Sequence, residues 1–326
     1  MLIEETHVDV ATQAGGDMRI FIFHPKIDGY PKAKFPGVLV FSEIYQVTGP
    51  VARFARQIAS QGYIVAAPSS YHEFIPADPL AYDVPGTDLG NDLKVKKKVS
   101  AYDEDATLTV DHLLSLPTCT GRIGATGMCL GGHLAYRAAL DRRVHATVCY
   151  FATDIHSGTL GEGMRDDSLG RTGEIGGEVV MIFGKKDTHI PPAGRDLIRK
   201  TLHDAGVSFS FYEVAHAQRK SPFLFSYPIF LSYFEIEIEL DIKTEIKIET
   251  EIETERKRHQ DNESTNKTNT PAPQKTDAFI RDELSKGRYD PAIAGICFQM
   301  LLELFGRVLR SDLGPSSAAG ELEHVC

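Results

Sequence analysis

Residues Arg122 to Leu134 read Arg-Ile-Gly-Ala-Thr-Gly-Met-Cys-Leu-Gly-Gly-His-Leu. Arg122 to Thr126 reads as a strand, and the helical spacing that begins at Gly132 runs to Leu140. Between them Gly127-Met128-Cys129-Leu130-Gly131 has the small-x-nucleophile-x-small form of a sharp strand-to-helix turn, with Cys in the position that Ser usually holds. Such a turn forces its central residue into a strained backbone conformation, so its neighbours must be small if strand and helix are to approach. The N-terminus of the following helix then points at Cys129 and favours a thiolate, and the Leu130 N–H is placed to hold an oxyanion. The alternative is a buried core cysteine beside a glycine-rich turn. A strand before and a helix after favour the nucleophile.

Outward from this turn, β-rich runs recur at Met18–Phe23, Gly37–Phe41, Tyr63–Ala67, Ala146–Phe151, Val179–Phe183 and Ser208–Val214. Several are continuous apolar runs, as parallel strands buried on both faces require. Helical patterns at Pro50–Ser60, Asp103–Leu116, Gly132–Leu140 and Ala193–Ala205 alternate with them. The alternation predicts an α/β fold with a doubly wound, mostly parallel sheet. Glu73 to Lys98 reads as a long surface excursion without obvious chemistry. Asp187 follows the Val179–Phe183 run and precedes the helical pattern at Ala193. An acid just beyond a late strand suits the order nucleophile, acid, histidine of a catalytic triad; a turn or capping aspartate is the alternative.

The motif Gly127-Met128-Cys129-Leu130-Gly131-Gly132, the stretch Phe183-Gly184 through Asp187, and Val40-Phe41-Ser42-Glu43-Ile44 together resemble the dienelactone hydrolase (carboxymethylenebutenolidase) family of the α/β-hydrolase fold. The likeness covers most of the chain outside residues 219–277. It implies hydrolysis of a small-molecule ester or lactone by a Cys-His-Asp triad, without metal or cofactor. It also implies that Glu43 pairs with Cys129 and helps it reach the thiolate, and that the Ile44 N–H joins that of Leu130 in the oxyanion hole. A solvated loop carboxylate is the alternative for Glu43. Family members active on dienelactone carry an arginine soon after the third strand that binds the substrate carboxylate. Here Tyr71, His72, Glu73 and Phe74 occupy that stretch, so an acid stands where a cation is expected and the natural substrate need not be dienelactone. Tyr71 and His72 are candidates for the substrate pocket.

The family's general base follows the last strand in an Ala-x-His-x-Phe turn. Here Ala215-His216-Ala217-Gln218 is followed by Arg219-Lys220-Ser221, and a matching Ala278-Phe279 resumes only after Asp277. Joining Gln218 to Ala278 through one histidine recreates the pattern. Arg219-Lys220-Ser221 can be encoded CGT AAG TNN, which contains a splice donor, and Thr276-Asp277 can be encoded ACA GAC, which contains an acceptor; excision joins C to AC and yields a histidine codon. A translated intron and a genuine surface-loop insertion both account for the segment. In the chain as written, His216 is the nearest candidate base. The tract itself alternates charged with Ile, Leu or Thr residues over Glu235–Glu255, then turns polar over Arg256–Thr276. That is low complexity, far longer than an ordinary strand. The predicted organisation is a hydrolase core over 1–218, an insertion over 219–277 and a helical part over 278–326. In the last part, Ile293, Ile296, Cys297, Met300, Leu301, Leu304 and Phe305 form the apolar face of Pro291–Leu309.

Composition bounds the rest. With 326 residues, 42% of them hydrophobic, the chain can build one sizeable core with length to spare. A net charge of −10 with no basic block argues against a nucleic-acid partner. Five cysteines without CxxC spacing point to reduced thiols and a cytoplasmic setting. The acidic start at Glu4, Glu5 and Asp9 is unlike a signal peptide, and the apolar stretch Pro222–Phe234 is too short for a bilayer span, so no membrane partner is expected. The competing functional classes are a catalytically silent homologue that acts as a binding or interaction protein and, more distantly, an unrelated thiol enzyme.

Overall fold

A computed structural model describes residues 1–13, 15–215 and 291–310. Residues 216–290, which take in His216 and the whole low-complexity tract, and residues 311–326 lie outside the described residues. Eight strands form one sheet in the order β1-β2-β4-β3-β5-β6-β7-β8. They are β1 (Leu2–Ala11), β2 (Asp17–Lys26), β3 (Phe35–Phe41), β4 (Ile64–Pro68), β5 (Cys119–Met128), β6 (Val144–Tyr150), β7 (Glu178–Gly184) and β8 (Phe209–Val214). β1 and β2 pair antiparallel, as do β2 and β4, and from β4 to β8 every pairing is parallel. The parallel strands are the continuous apolar runs: every residue of β3 and of β4 is buried.

The described helices are α1 (Gly49–Ser60), α2 (Val84–Lys96), α3 (Val99–Ser115), α4 (Leu130–Ala138), α5 (Pro192–Asp204) and α6 (Pro291–Leu309). α1 and α6 share one face of the sheet, where Phe54 of α1 meets Tyr150 of β6 and Phe298 of α6 edge-on, each at 6.1 Å between ring centres. α3 and α4 pack together over β3, β4 and β5. α6 is apolar and long enough to cross a membrane. Its apolar stripe instead meets β5, β6 and β7, with Cys297, Leu301, Leu304, Phe305 and Leu309 buried. Each fully buried large side chain of this kind contributes about 2 kcal/mol. Ile296, expected on that face, is 52% exposed, because it stands one residue, a rotation of about 100°, from the stripe through Cys297, Leu301 and Leu304.

Two elements were not expected. β1 is an edge strand, mostly exposed on both sides and so without an alternating apolar face. It is held by its ladder to β2 and by cross-strand ion pairs of Asp9 with Arg19 at 2.8 Å and Glu4 with Lys26 at 2.7 Å. The excursion Glu73–Lys98 contains α2, which is capped by Asp83 accepting the Gly86 N–H at 2.7 Å. α2 escaped notice because it buries only Gly86, Gly90 and Leu93, so its sequence has almost no helical periodicity. Nor is the excursion all surface, since Leu93 and Lys97 are buried.

Candidate active site

The crossovers leave the sheet in opposite directions at β3 and β5: β3 leads to β4 on one side, whereas β5 leads to β6 on the other. In open α/β sheets the crevice for ligands forms at such a reversal, beyond the carboxyl ends of the strands. Phe41 of β3 pairs with Gly127 of β5, so Glu43 and Cys129 each stand two residues past the same row.

Cys129 is the residue before α4 and has φ 59° and ψ −118°, a conformation that L side chains rarely adopt. The strain is held from several sides. The Cys129 N–H donates to Tyr150 O at 3.1 Å, and its carbonyl accepts from Gly132 and Thr153 at 3.1 and 3.2 Å. The two elbow glycines are needed for space: a Cβ on Gly127 would collide with the Gly131 carbonyl, and one on Gly131 with the carbonyls of Phe41 and Ser42. Leu130 opens α4, where amide groups have no acceptor inside the helix. Cys129 is half-buried and is not in a disulfide.

Glu43 is 3% exposed and Ile44 beside it is buried. Gly90 lets α2 approach so closely that a Cβ there would strike the Ile44 carbonyl. Tyr71 is buried, with its hydroxyl donating to Gly90 O at 3.1 Å and its N–H to Gln46 Oε1 at 3.3 Å. Burial and the nearby Cys129 sulfur both push the Tyr71 phenol well above its ordinary value, which keeps it protonated. His72 takes a different course. Its side chain is 2% exposed and its Nε2 lies 2.9 Å from Asp105 Oδ1. Lys97 completes this cluster with bonds of 2.6 Å to Asp105 and 2.8 Å to Glu73. Glu73 is therefore neutralised in part by a buried ammonium, which softens the repulsion expected against an anionic substrate.

Asp187 follows β7 in a turn where its N–H donates to Gly184 O at 3.1 Å and its Oδ1 accepts the His189 N–H at 2.8 Å. The turn is braced against the end of β8: the Lys185 N–H donates to Val214 O at 2.9 Å, and buried Arg195 bonds both Ile190 O and Glu213. The chain thus leaves β8 beside the acid. His133 is enclosed beneath the elbow, with Nε2 at 2.8 Å from Ser168 Oγ and 3.2 Å from Asp166.

Two residues near the site carried no sequence signal. Tyr82, in the excursion, reaches Glu43. His156 lies beyond β6, with its ring against Gly194, where a Cβ would fall 2.6 Å from its Cδ2. Burial lowers the basicity of His156, and the charges of Asp154 and Asp187 work the other way.

Residues 22–227 match the dienelactone hydrolase family. The chain is 48% identical, over the full length of both, to a Saccharomyces cerevisiae protein named "Putative carboxymethylenebutenolidase". It is 21% identical to carboxymethylenebutenolidase 1 of Cupriavidus pinatubonensis, over 66% of this chain and 86% of that one. Among solved structures, a Klebsiella pneumoniae protein named "Putative Dienelactone Hydrolase" superposes with a TM-score of 0.63 at 16% identity, covering 94% of this chain and all of the other. A dienelactone hydrolase-like promiscuous phosphotriesterase from metagenomic libraries gives 0.54 at 17% identity, over 77% of this chain and 99% of that one. These structural likenesses bear on the fold, which is that of the α/β hydrolases. The chain belongs to the dienelactone hydrolase family, a family of hydrolases.

Proposed function

We propose that the protein is a cysteine-dependent hydrolase of small esters or lactones. The observation that carries this reading is the backbone of Cys129, held at φ 59° between a parallel strand and a helix N-terminus at the sheet's reversal point. Strain of this kind costs of order 1–3 kcal/mol, and it presents a side chain to a crevice where ordinary packing gains nothing from it.

Glu43 accepts the thiol proton, and the Cys129 thiolate attacks the carbonyl carbon. The resulting oxyanion is held by the N–H groups of Ile44 and Leu130. The tetrahedral adduct collapses to a thioester on Cys129, and the leaving alkoxide takes a proton from a histidine that Asp187 orients. Water, deprotonated by the same histidine, which so regains the proton it gave, attacks the thioester; the acid departs and Glu43 returns its proton to the sulfur, restoring the thiol. The base is a histidine that follows β8. His216 supplies it in the chain as written, whereas one histidine replacing residues 219–277 supplies it at the family's spacing. His72 and His133 are excluded from this role by their buried bonds to Asp105 and to Ser168.

Cys129→Ala should lose p-nitrophenyl acetate and small-lactone hydrolysis by at least about a thousandfold, as removal of a nucleophile requires. Mass spectrometry of the unmodified chain quenched during turnover should find the acyl group on the peptide carrying Cys129. Full activity in Cys129→Ala would end the reading.

A further inference from the structure

The turn after β3 is clamped by the excursion that follows β4. Gln46, buried and at φ 62°, donates from Nε2 to Pro76 O and Asp78 O at 2.8 Å each. The Leu80 N–H donates to Tyr45 O at 2.9 Å, and the Tyr45 hydroxyl lies 2.9 Å from Thr87 Oγ1. These bonds place Tyr82 over the turn, with its ring 4.5 Å from that of Tyr45. The Tyr82 hydroxyl lies 2.7 Å from Thr48 Oγ1 and donates to Glu43 Oε2 at 3.4 Å.

The proton order in this chain follows from the groups present. A carboxylate only accepts, so the phenol proton goes to Glu43, and Thr48 then gives its own proton to the phenol oxygen. An independent feature agrees. Thr48 occupies the N-cap position of α1, where a threonine hydroxyl ordinarily accepts a backbone N–H, yet its side chain makes no capping bond. It is turned to Tyr82 instead. Burial and the Glu43 charge both make the Tyr82 phenol harder to ionise, so it remains a donor throughout the working pH range.

We propose that Tyr82, ordered by Thr48, is a positioning residue of the reaction: it holds Glu43 as a carboxylate and thereby sets how readily Glu43 takes the proton of Cys129. The inference rests on the reading of Glu43 as that proton's acceptor. Before reaction, the pair shares one proton and exists as thiol with carboxylate or thiolate with carboxylic acid. A donor on Glu43 favours the first form, so Tyr82 restrains the thiol. Tyr82 faces Glu43 from the excursion, Tyr45 lies against Tyr82 from the turn, and Tyr71 faces Cys129 from the turn after β4.

The test is the rate of Cys129 carboxamidomethylation by iodoacetamide in the full chain, followed from pH 5 to pH 9 by peptide mass spectrometry. Tyr82→Phe removes the hydroxyl alone. It should label Cys129 roughly three- to tenfold faster at neutral pH, with the rise in rate levelling off about half to one pH unit higher, the scale of one ordinary net hydrogen bond, as suits its 3.4 Å length. Thr48→Val should shift both readouts in the same direction by less. In the Glu43→Gln background, Tyr82→Phe should change neither, since the phenol acts through that carboxylate. Wild-type rate and profile in Tyr82→Phe would overturn the proposal, as would an equal change with and without Glu43, which would mean loosened packing. If Glu43→Gln alone leaves the profile unchanged, the activating role of Glu43 fails and this inference falls with it.

Discussion

The crevice at Cys129 and the two buried polar clusters beside it are built from similar residues and do opposite things. Beneath α4, His133 bonds Ser168 and Asp166, while Arg137 bonds Asp103, Asp166, Asp167 and Ser168. Under the excursion, Lys97 and His72 close on Asp105 and Glu73. In both clusters charges meet opposite charges over short bonds, with His133, Arg137 and Asp166 in one and His72, Lys97 and Asp105 in the other withdrawn from solvent. At the crevice, by contrast, a half-buried thiol sits on strained backbone and a phenol donates to a buried carboxylate at 3.4 Å. Ion-paired clusters fix elements in place, whereas in the proposed mechanism the crevice keeps groups that exchange a proton. A histidine next to a carboxylate is therefore not by itself a sign of catalysis in this fold.

The sharpest break in the comparison comes from supplying the crevice with its base. Replacing residues 219–277 by one histidine places it 32 residues beyond Asp187, with Ala278-Phe279 directly behind. That variant should hydrolyse p-nitrophenyl acetate about a hundredfold faster than the full chain, the usual scale for a positioned general base. The same excision with alanine should stay slow. If the full chain matches the histidine variant and loses its activity on His216→Ala, His216 is the base and the displaced-histidine argument is wrong.

The second test falls on a cluster. Lys97→Met leaves Asp105 and Glu73 buried without their cation and should lower the unfolding free energy by about 3–5 kcal/mol in urea titrations. Labelling of Cys129 in the fraction still folded should change little. A larger effect on the thiol than on stability would merge the cluster with the crevice.

The smallest effect concerns the ion pair of Asp154 with Lys94, at 3.0 Å beyond β6. Burial disfavours the Asp154 carboxylate, but Lys94 outweighs it and holds the group at about 2. Because the folded value lies below the unfolded one, the stabilisation is present above about pH 4 and is lost as pH falls through about 2. The shift corresponds to about 2 kcal/mol. Lys94→Met should flatten that acid limb of the stability curve, while an unchanged limb would assign it to other carboxylates.

Much of this was legible along the chain because its causes are local. The strained cysteine turn shows in Gly127, Cys129 and Gly131, since the clash that demands glycine arises within a few residues and one adjacent strand. The runs expected as β2 to β8 are strands in the structure; β3 and β4 are legible because burial on both faces leaves continuous apolar sequence, and β2 because its buried residues largely alternate. β1 and α2 left no such trace. β1 is held by backbone pairing and ion pairs rather than by an apolar face, and α2 is packed through glycines whose value lies in what is absent.

By itself, the sequence determined the alternation of strand and helix, the strained cysteine turn and the placing of Asp187 after a late strand. These follow from propensity, periodicity and short-range sterics. Tertiary structure alone decided which polar groups surround the cysteine. Tyr82 lies 39 residues from Glu43, on an irregular segment whose path is set by hydrogen bonds from Gln46 and by the close seat of Gly90 on Ile44. It likewise decided that Lys97 and His72 are enclosed rather than offered to substrate. A side chain's partner across a fold depends on the path of the backbone between them, and an excursion without periodic burial writes no record of that path in its own residues.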